Sequence, residues 1–322
     1  MSERIKGIHH ITAISGDPQR NLEFYSGILG MRLVKKTVNF DDPGTYHLYY
    51  GDESGNPGTL LTFFPWMGMP AGEPGGGEAT AIAFAIPPKS FDYWMKRFDH
   101  FKIQYESPVK RMDGNEKALV CKDPDGISLE LVEVAGLESK QAWEGSPVPV
   151  DYAIRNFHSV SLTIEELGPT SELFTQTLGF RAAGEDEKRK RFESGVGGPS
   201  TYVDLIYDSM VKPGRMGRGS IHHVAFRVDD KESQLLMREQ LNAYRLKVTP
   251  VIDRDYFLSI YFREPGGVLL EVATDTPGFT TDESLESLGR ELRLPKQHQP
   301  QEVHIREILP ELKIPDIEKY RV

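Results

Sequence analysis

The chain has 322 residues, of which 39% are hydrophobic and 27% charged, and its formal net charge is -10. That composition is ordinary for a globular protein of about two domains. The acidic balance excludes the basic footprint of a nucleic-acid binder and argues against an anionic membrane surface. No apolar run approaches the roughly 20 residues that span a bilayer, and the N-terminus lacks the apolar stretch of a signal peptide. Cys121 is the single cysteine, so neither an intrachain disulfide nor a cysteine-based metal cluster can form. These features predict a cytoplasmic protein in which any metal is held by histidine and carboxylate.

In chain order the sequence repeats one unit four times, each a strand, a helix and three further strands. The first opens at Gly7 with Ile8-His9-His10-Ile11-Thr12. Its helix starts after Asp17, a good N-cap, with Pro18 at the first helical position, and stops at Gly30. Leu22, Tyr25, Ile28 and Leu29 give that helix an apolar stripe. Alternating stretches at 46–50 and 58–64 read as strands. The second unit opens near Ala79, has a helix over 91–98, and closes with Asp123-Pro-Asp-Gly126 and a strand through Glu130. The third opens with Phe157-His158-Ser159, repeats Leu178-Gly179-Phe180 and ends at 202–207. The fourth runs from Ile221-His222-His223 through a helix near 233–241 to Gly267-Val-Leu-Leu-Glu271. Gly- and Pro-rich stretches at 65–78 and 137–151 read as linkers, and Gly75 to Gly77 belong to the first of them because no phosphate-binding strand-to-helix context surrounds them. The predicted architecture is α+β: four βαβββ modules whose curved sheets build two cup-like barrels. The expected division is an N-terminal domain over 1–145, a C-terminal domain over 146–280, and a charged tail over 281–322. That tail is free either to cover a pocket or to make contacts in a homo-oligomer.

Side chains alternate across a strand, so His9 and His10 cannot both enter one cavity. In the third module His158, Val160, Leu162 and Ile164 form an apolar face, whereas Ser159, Ser161 and Thr163 form a polar one that suits a wet concavity. Ser159 aligns with His10 and His223, which makes those two the cavity-facing histidines. His222 shares its face with Val224 and Phe226 and is assigned to packing. In the closing strands a glycine precedes an equivalent position by four residues: Gly58 and Thr62, Gly126 and Glu130, Gly267 and Glu271. Threonine is a poor ligand, so His10, His223 and Glu271 remain as a three-ligand set from the first and fourth modules. Two histidines and one carboxylate are typical of Fe(II) sites with open coordination positions. Modules two and three offer Glu130, Ser159 and an alanine near Ala83, a site without histidines in which Glu130 is a relic or solvated. His47, His100, His298 and His304 have no partner in the repeat and are assigned structural or surface roles.

The motifs from Gly7 to Thr12, Tyr46-His47-Leu-Tyr-Tyr, Gly58 to Pro65, Ile221 to Phe226, Pro265 to Glu271 and Pro277 to Glu283 together resemble the vicinal oxygen chelate superfamily. Within it they are most similar to ring-cleaving dioxygenases of hydroquinones, and the resemblance covers essentially the whole chain. It implies Fe(2+) held by His10, His223 and Glu271, with a small aromatic diol and O2 as reactants. It further implies a catalytic tyrosine at Tyr261 and a supporting histidine at His9. Alternation along the strand puts Thr12 on the same face as His10, where it is expected to line the cavity. A pocket arginine of a chlorohydroquinone-cleaving member falls on Asp255, with Arg254 beside it, which would bring an acidic residue to the ring. Two other readings of the fold stand beside this one. A glyoxalase-like isomerase generally needs another carboxylate ligand, where this chain has Thr62. A non-catalytic protein that sequesters an aromatic compound or antibiotic usually lacks the metal triad.

Overall fold

The computed structural model describes residues 5–137 and 142–322. The first four residues, part of the N-terminus read above, and 138–141 of the second linker lie outside the described residues. All four modules form as expected. Module one comprises β1 (Ile8–Ser15), α1 (Pro18–Leu22), β2 (Arg32–Val38), β3 (Tyr46–Gly51) and β4 (Leu60–Pro65). Module two comprises β5 (Glu78–Ile86), α2 (Phe91–Phe101), β6 (Tyr105–Arg111), β7 (Glu116–Lys122) and β8 (Ser128–Glu133). Module three comprises β9 (Asn156–Ile164), α3 (Leu167–Glu172), β10 (Arg181–Glu185), β11 (Arg189–Glu193) and β12 (Tyr202–Tyr207). Module four comprises β13 (Ile221–Val228), α4 (Lys231–Ala243), β14 (Ile252–Asp253), β15 (Phe257–Arg263) and β16 (Leu269–Pro277).

Local chemistry sets the element boundaries. The Asp17 carboxylate accepts a hydrogen bond from the Arg20 N–H, and Pro18 occupies the first turn. The helix then continues as a π-helical turn over Glu23–Ile28 and stops at Gly30, whose φ of 73° suits glycine. Helix α2 runs three residues past the predicted end, to the left-handed cap at Lys102. Asp230 caps α4 through the Ser233 N–H. No helix among the described residues is long and apolar enough to cross a membrane.

The strands join into one continuous sheet that curls into two cups. Modules one and four share the first cup through the antiparallel β1–β13 pair, and modules two and three share the second through β5–β9. The cups meet where Ile221 pairs with Ala79. Each half of the chain therefore gives one module to each cup. Apolar side chains on the outer face of the sheet, Ile8, Ile11, Phe63 and Phe226 among them, pack against the helices and form the main core. The inner faces are left for polar chemistry.

The tail lies along β2, the outermost strand of the first cup. Leu292 bridges to Lys36, and Ile305 and Leu309 are buried in the core. Gly289, with a φ of 75°, passes so close to the Leu33 carbonyl that an added Cβ would sit 1.9 Å from it. The fully buried Lys35 ammonium bonds Glu283 and, at 2.6 Å, Asp282, and the Tyr256 hydroxyl donates to Asp282 at 3.0 Å. Farther along, Lys296 donates its backbone N–H to Asp255, and the Gln297 and His298 side chains reach the Phe40 carbonyl. Replacing Lys35 by alanine strands the buried Glu283 carboxylate, leaving Arg293 at 3.6 Å as its one cationic neighbour among the described residues. We expect Lys35→Ala to cost about 3 kcal/mol, read as a lower urea midpoint; an unchanged midpoint would show that the tail's ion pairs do not hold it.

Candidate metal centre

His10 on β1, His223 on β13 and Glu271 on β16 converge at the floor of the first cup, and all three are buried. The Nε2 atoms of the two histidines are 3.3 Å apart, and Glu271 Oε2 is 3.3 Å from His10 Nε2 and 3.0 Å from His223 Nε2. Two donors bound at right angles about 2.1 Å from one ion would stand about 3 Å apart. The triangle therefore matches one face of an octahedral site. Glu271 Oε2 accepts no well-oriented hydrogen bond, whereas Oε1 accepts one from the Ser259 hydroxyl at 2.5 Å. A fully buried carboxylate oxygen without a donor is costly, and a divalent cation at the centre of the triangle would satisfy it. Among the described residues this is the one group of His, Cys, Asp and Glu whose donors converge in this way.

The β1–β13 pairing explains the doubled histidines. Its register slips between Ile8 and His10 on one strand and between Ile221 and His223 on the other. His9 and His222 are thus the extra residue of each β-bulge, and a bulge re-aims a side chain. Both consequently turn onto their neighbours: His9 Nδ1 lies 2.9 Å from His10 Nδ1, and His222 Nδ1 lies 2.7 Å from His223 Nδ1. Each ligand imidazole has its outer nitrogen held by the histidine before it, which fixes the ring and leaves Nε2 for the ion. His222 was expected in a packing face; the bulge instead brings it to the cavity wall.

Burial shapes the protonation of this cluster. Desolvation, aided by His10, holds the His9 and His47 imidazoles well below the usual histidine value, and burial beside His223 takes His222 down to about 3. Burial also lowers His223, although Glu271 opposes the shift. Burial alone would raise Glu271, but His10 and His223 hold its carboxyl well below the usual carboxylate range. A carboxylate held anionic beside two imidazole nitrogens is a donor set that suits a divalent ion.

Above the triangle opens a cavity of about 220 Å³ walled by Phe40, Phe64, Trp66, Tyr49, Phe257 and Tyr261. Thr12 and Tyr261, both expected at the site, line it. The Arg254 Nε–H donates to the Tyr261 hydroxyl at 3.3 Å, and the guanidinium lies against the Phe40 and Tyr261 rings. Asp255 does not reach the ring-binding space. Its left-handed backbone, with a φ of 65°, turns the carboxylate outward to the Lys296 N–H. Arg254 takes the inward place, so the expected acidic wall is a basic one. His47, assigned a structural or surface role, lines the cavity as well; its parity with Tyr49 on β3 was the available signal.

Register equates Glu271 with Glu130 and Thr62 with Asp204, and aligns the ligand histidines with Ala81 and Ser159. The second cup thus has two carboxylates and no imidazole at these positions. Guanidinium groups fill it instead: Arg111 bonds Glu130, while Arg189 and Arg191 bond Asp204 at 2.7 and 2.6 Å. Glu116 is held by Arg191 and by His158 at 3.2 Å. Glu130 is therefore an ion-paired buried residue rather than a solvated one.

The model of the Glyoxalase/Bleomycin resistance protein/Dioxygenase superfamily matches residues 7–131 and 156–272. The chain belongs to this superfamily. It is 42% identical to "Putative ring-cleaving dioxygenase MhqO" of Bacillus subtilis, over 95% of this chain and 96% of that protein. It is 34% identical to "Chlorohydroquinone/hydroquinone 1,2-dioxygenase" of Sphingobium indicum, over 92% and 94%. A crystal structure of a "putative dioxygenase" from Bacillus subtilis superposes with a TM-score of 0.91 at 41% identity, over 97% of this chain and 99% of that one.

Two outcomes follow from the superfamily member's geometry. Elemental analysis of the purified protein should find at most one ion per chain; Glu271→Gln should abolish it, and Ser259→Ala should weaken it by roughly 10- to 100-fold. Two ions per chain would contradict the filled second cup. In acid, the unfolded chain takes up histidine protons below about pH 6.5, whereas the folded chain keeps His9, His47 and His222 neutral. The unfolded state then binds more protons, so stability is full above about pH 6.5 and falls as pH drops toward the folded values. The urea midpoint of the metal-free protein should decline steadily from about pH 6.5 downward; a flat profile to about pH 5 would show that these imidazoles are charged in the fold.

Proposed function

We propose that this protein is an Fe(II)-dependent ring-cleaving dioxygenase of the extradiol type, acting with O2 on a hydroquinone- or catechol-type aromatic diol in the cytoplasm. The observation that carries the reading is the His10–His223–Glu271 triangle at the floor of an aromatic-walled cavity. The names of the two relatives, a ring-cleaving dioxygenase and one acting on chlorohydroquinone and hydroquinone, support it. His10, His223 and Glu271 would hold the Fe(II), which would supply coordination and electron transfer between the diol and O2.

The remaining work belongs to the chain's own residues. Phe64, Trp66 and Phe257 offer flat apolar surface to a ring, which suits a benzenoid substrate. The Arg254 guanidinium keeps positive charge beside the Tyr261 hydroxyl, where it can stabilise a diol oxygen that has lost its proton. Tyr261, its acidity suppressed by burial and by Glu271, keeps its proton and can donate a hydrogen bond at that oxygen. His222 offers its free Nε2–H to the same space, since its Nδ1 is committed to His223. The aromatic rim exclude bulk water, which strengthens each of these contacts. An isomerase of the glyoxalase kind is disfavoured because Thr62, at the position of a further carboxylate, is committed to Thr12 and His47.

The test is oxygen uptake by the protein loaded anaerobically with Fe(II), on a panel of hydroquinones and catechols. We expect O2 consumption matched by ring-opened product, and loss of both on removal of the iron. Thiol-adduct isomerisation, or tight binding of the diols without turnover, would contradict the proposal.

A further inference from the structure

A row of hydrogen-bonding side chains crosses three strands of the first cup. Thr12 on β1 pairs with Thr62 on β4, which pairs with Tyr49 on β3, and His47 lies two residues before Tyr49 on the same face. The Thr12 and Thr62 hydroxyls are 2.8 Å apart, Thr62 Oγ1 is 3.0 Å from His47 Nε2, and His47 Nδ1 is 2.9 Å from the Tyr49 hydroxyl. The His47 ring is wedged between Tyr49 and Phe64, with centroids 4.0 and 4.4 Å away, so it cannot swing free.

The direction of this row follows from its far end. The Tyr49 side chain is buried, and among the described residues its hydroxyl has no hydrogen-bond partner other than His47. A buried phenol needs an acceptor, so Tyr49 donates to His47 Nδ1. A neutral imidazole carries one N–H, which must then be on Nε2 and must donate to Thr62 Oγ1. The single hydroxyl proton of Thr62 is left for Thr12. The proton of Thr12 finds no protein acceptor among the described residues, and Thr12 lines the cavity two residues along β1 from His10.

We propose that Tyr49, His47 and Thr62 form a one-way donor chain that leaves the Thr12 hydroxyl as a fixed hydrogen-bond donor into the cavity, where it takes an anionic oxygen of the bound diol. Tyr49, His47 and Thr62 are positioning residues in this scheme, and Thr12 is the group that touches the ligand. Donors linked in series polarise one another, so the last member is a stronger donor than an isolated threonine. The orientation of the chain is a property of the protein itself; its effect on turnover rests on the ring-cleavage reading.

The two parts have separate tests. In the full-length, metal-free protein labelled with ¹⁵N-histidine, long-range ¹H–¹⁵N correlation should show His47 protonated on Nε2 and bare on Nδ1. An Nδ1–H tautomer would reverse the chain and overturn the proposal. In the iron-loaded protein, Tyr49→Phe and Thr12→Val should each lower kcat/KM by roughly 2- to 12-fold, with iron content unchanged. The double variant should be no slower than the slower single one, because both cut the same chain; losses that multiply would overturn it. Absence of turnover by the wild-type protein on every diol would defeat the ring-cleavage reading and leave the tautomer result standing.

Discussion

The antiparallel pairing of β1 with β13 is the constraint on which the site depends. These strands lie at opposite ends of the sequence, and their register alone brings His10 within 3.3 Å of His223. Parallel pairing of β16 with β13 then delivers Glu271 to the same point. Such long-range pairing has a high entropic cost before it yields contacts, and the repeated module is what makes it reproducible. Each unit buries one apolar face against its helix, turns the other toward the cup, and joins a partner unit through its opening strand. The two bulges in the pair add what a regular ladder could not, a second histidine behind each ligand.

The second cup shows the same scaffold put to a different use. It has carboxylates at two ligand positions and small side chains at the other two, so none of those four positions offers an imidazole. Three arginines neutralise the carboxylates from within. Their burial would be expensive without such pairing, and the network closes the space that the first cup leaves open. One architecture therefore holds two solutions to the same problem of buried negative charge: a cation bound from solution, or guanidinium groups supplied by the chain.

Much of this was legible in the residues. Alternation across the third module's opening strand selected His10 and His223 from their pairs, and the glycine-to-carboxylate spacing selected Glu271. The capping residues Asp17, Pro18 and Gly30 marked the first helix. Alternation misled at His222, because a bulge breaks the period of two that the rule assumes. Asp255 was misassigned for a related reason: a single left-handed residue exchanged its direction with that of Arg254. His47 stayed hidden because no other module repeats it; its counterparts by register are Ser259, Ala118 and Arg189. The tail's path along β2 depends on contacts between segments some 250 residues apart, such as Lys35 with Asp282 and Glu283, for which the local pattern holds no signal.

The central claim is that one ion is held by these three side chains at the floor of the first cup. Anomalous diffraction at the iron edge, from crystals of the Fe(II)-loaded protein, tests it most directly. The account predicts a single peak per chain bonded to His10 Nε2, His223 Nε2 and Glu271 Oε2, with its remaining positions facing the aromatic cavity. A peak in the second cup, or an ion bound elsewhere with the His10–His223–Glu271 triangle intact and empty, would contradict it.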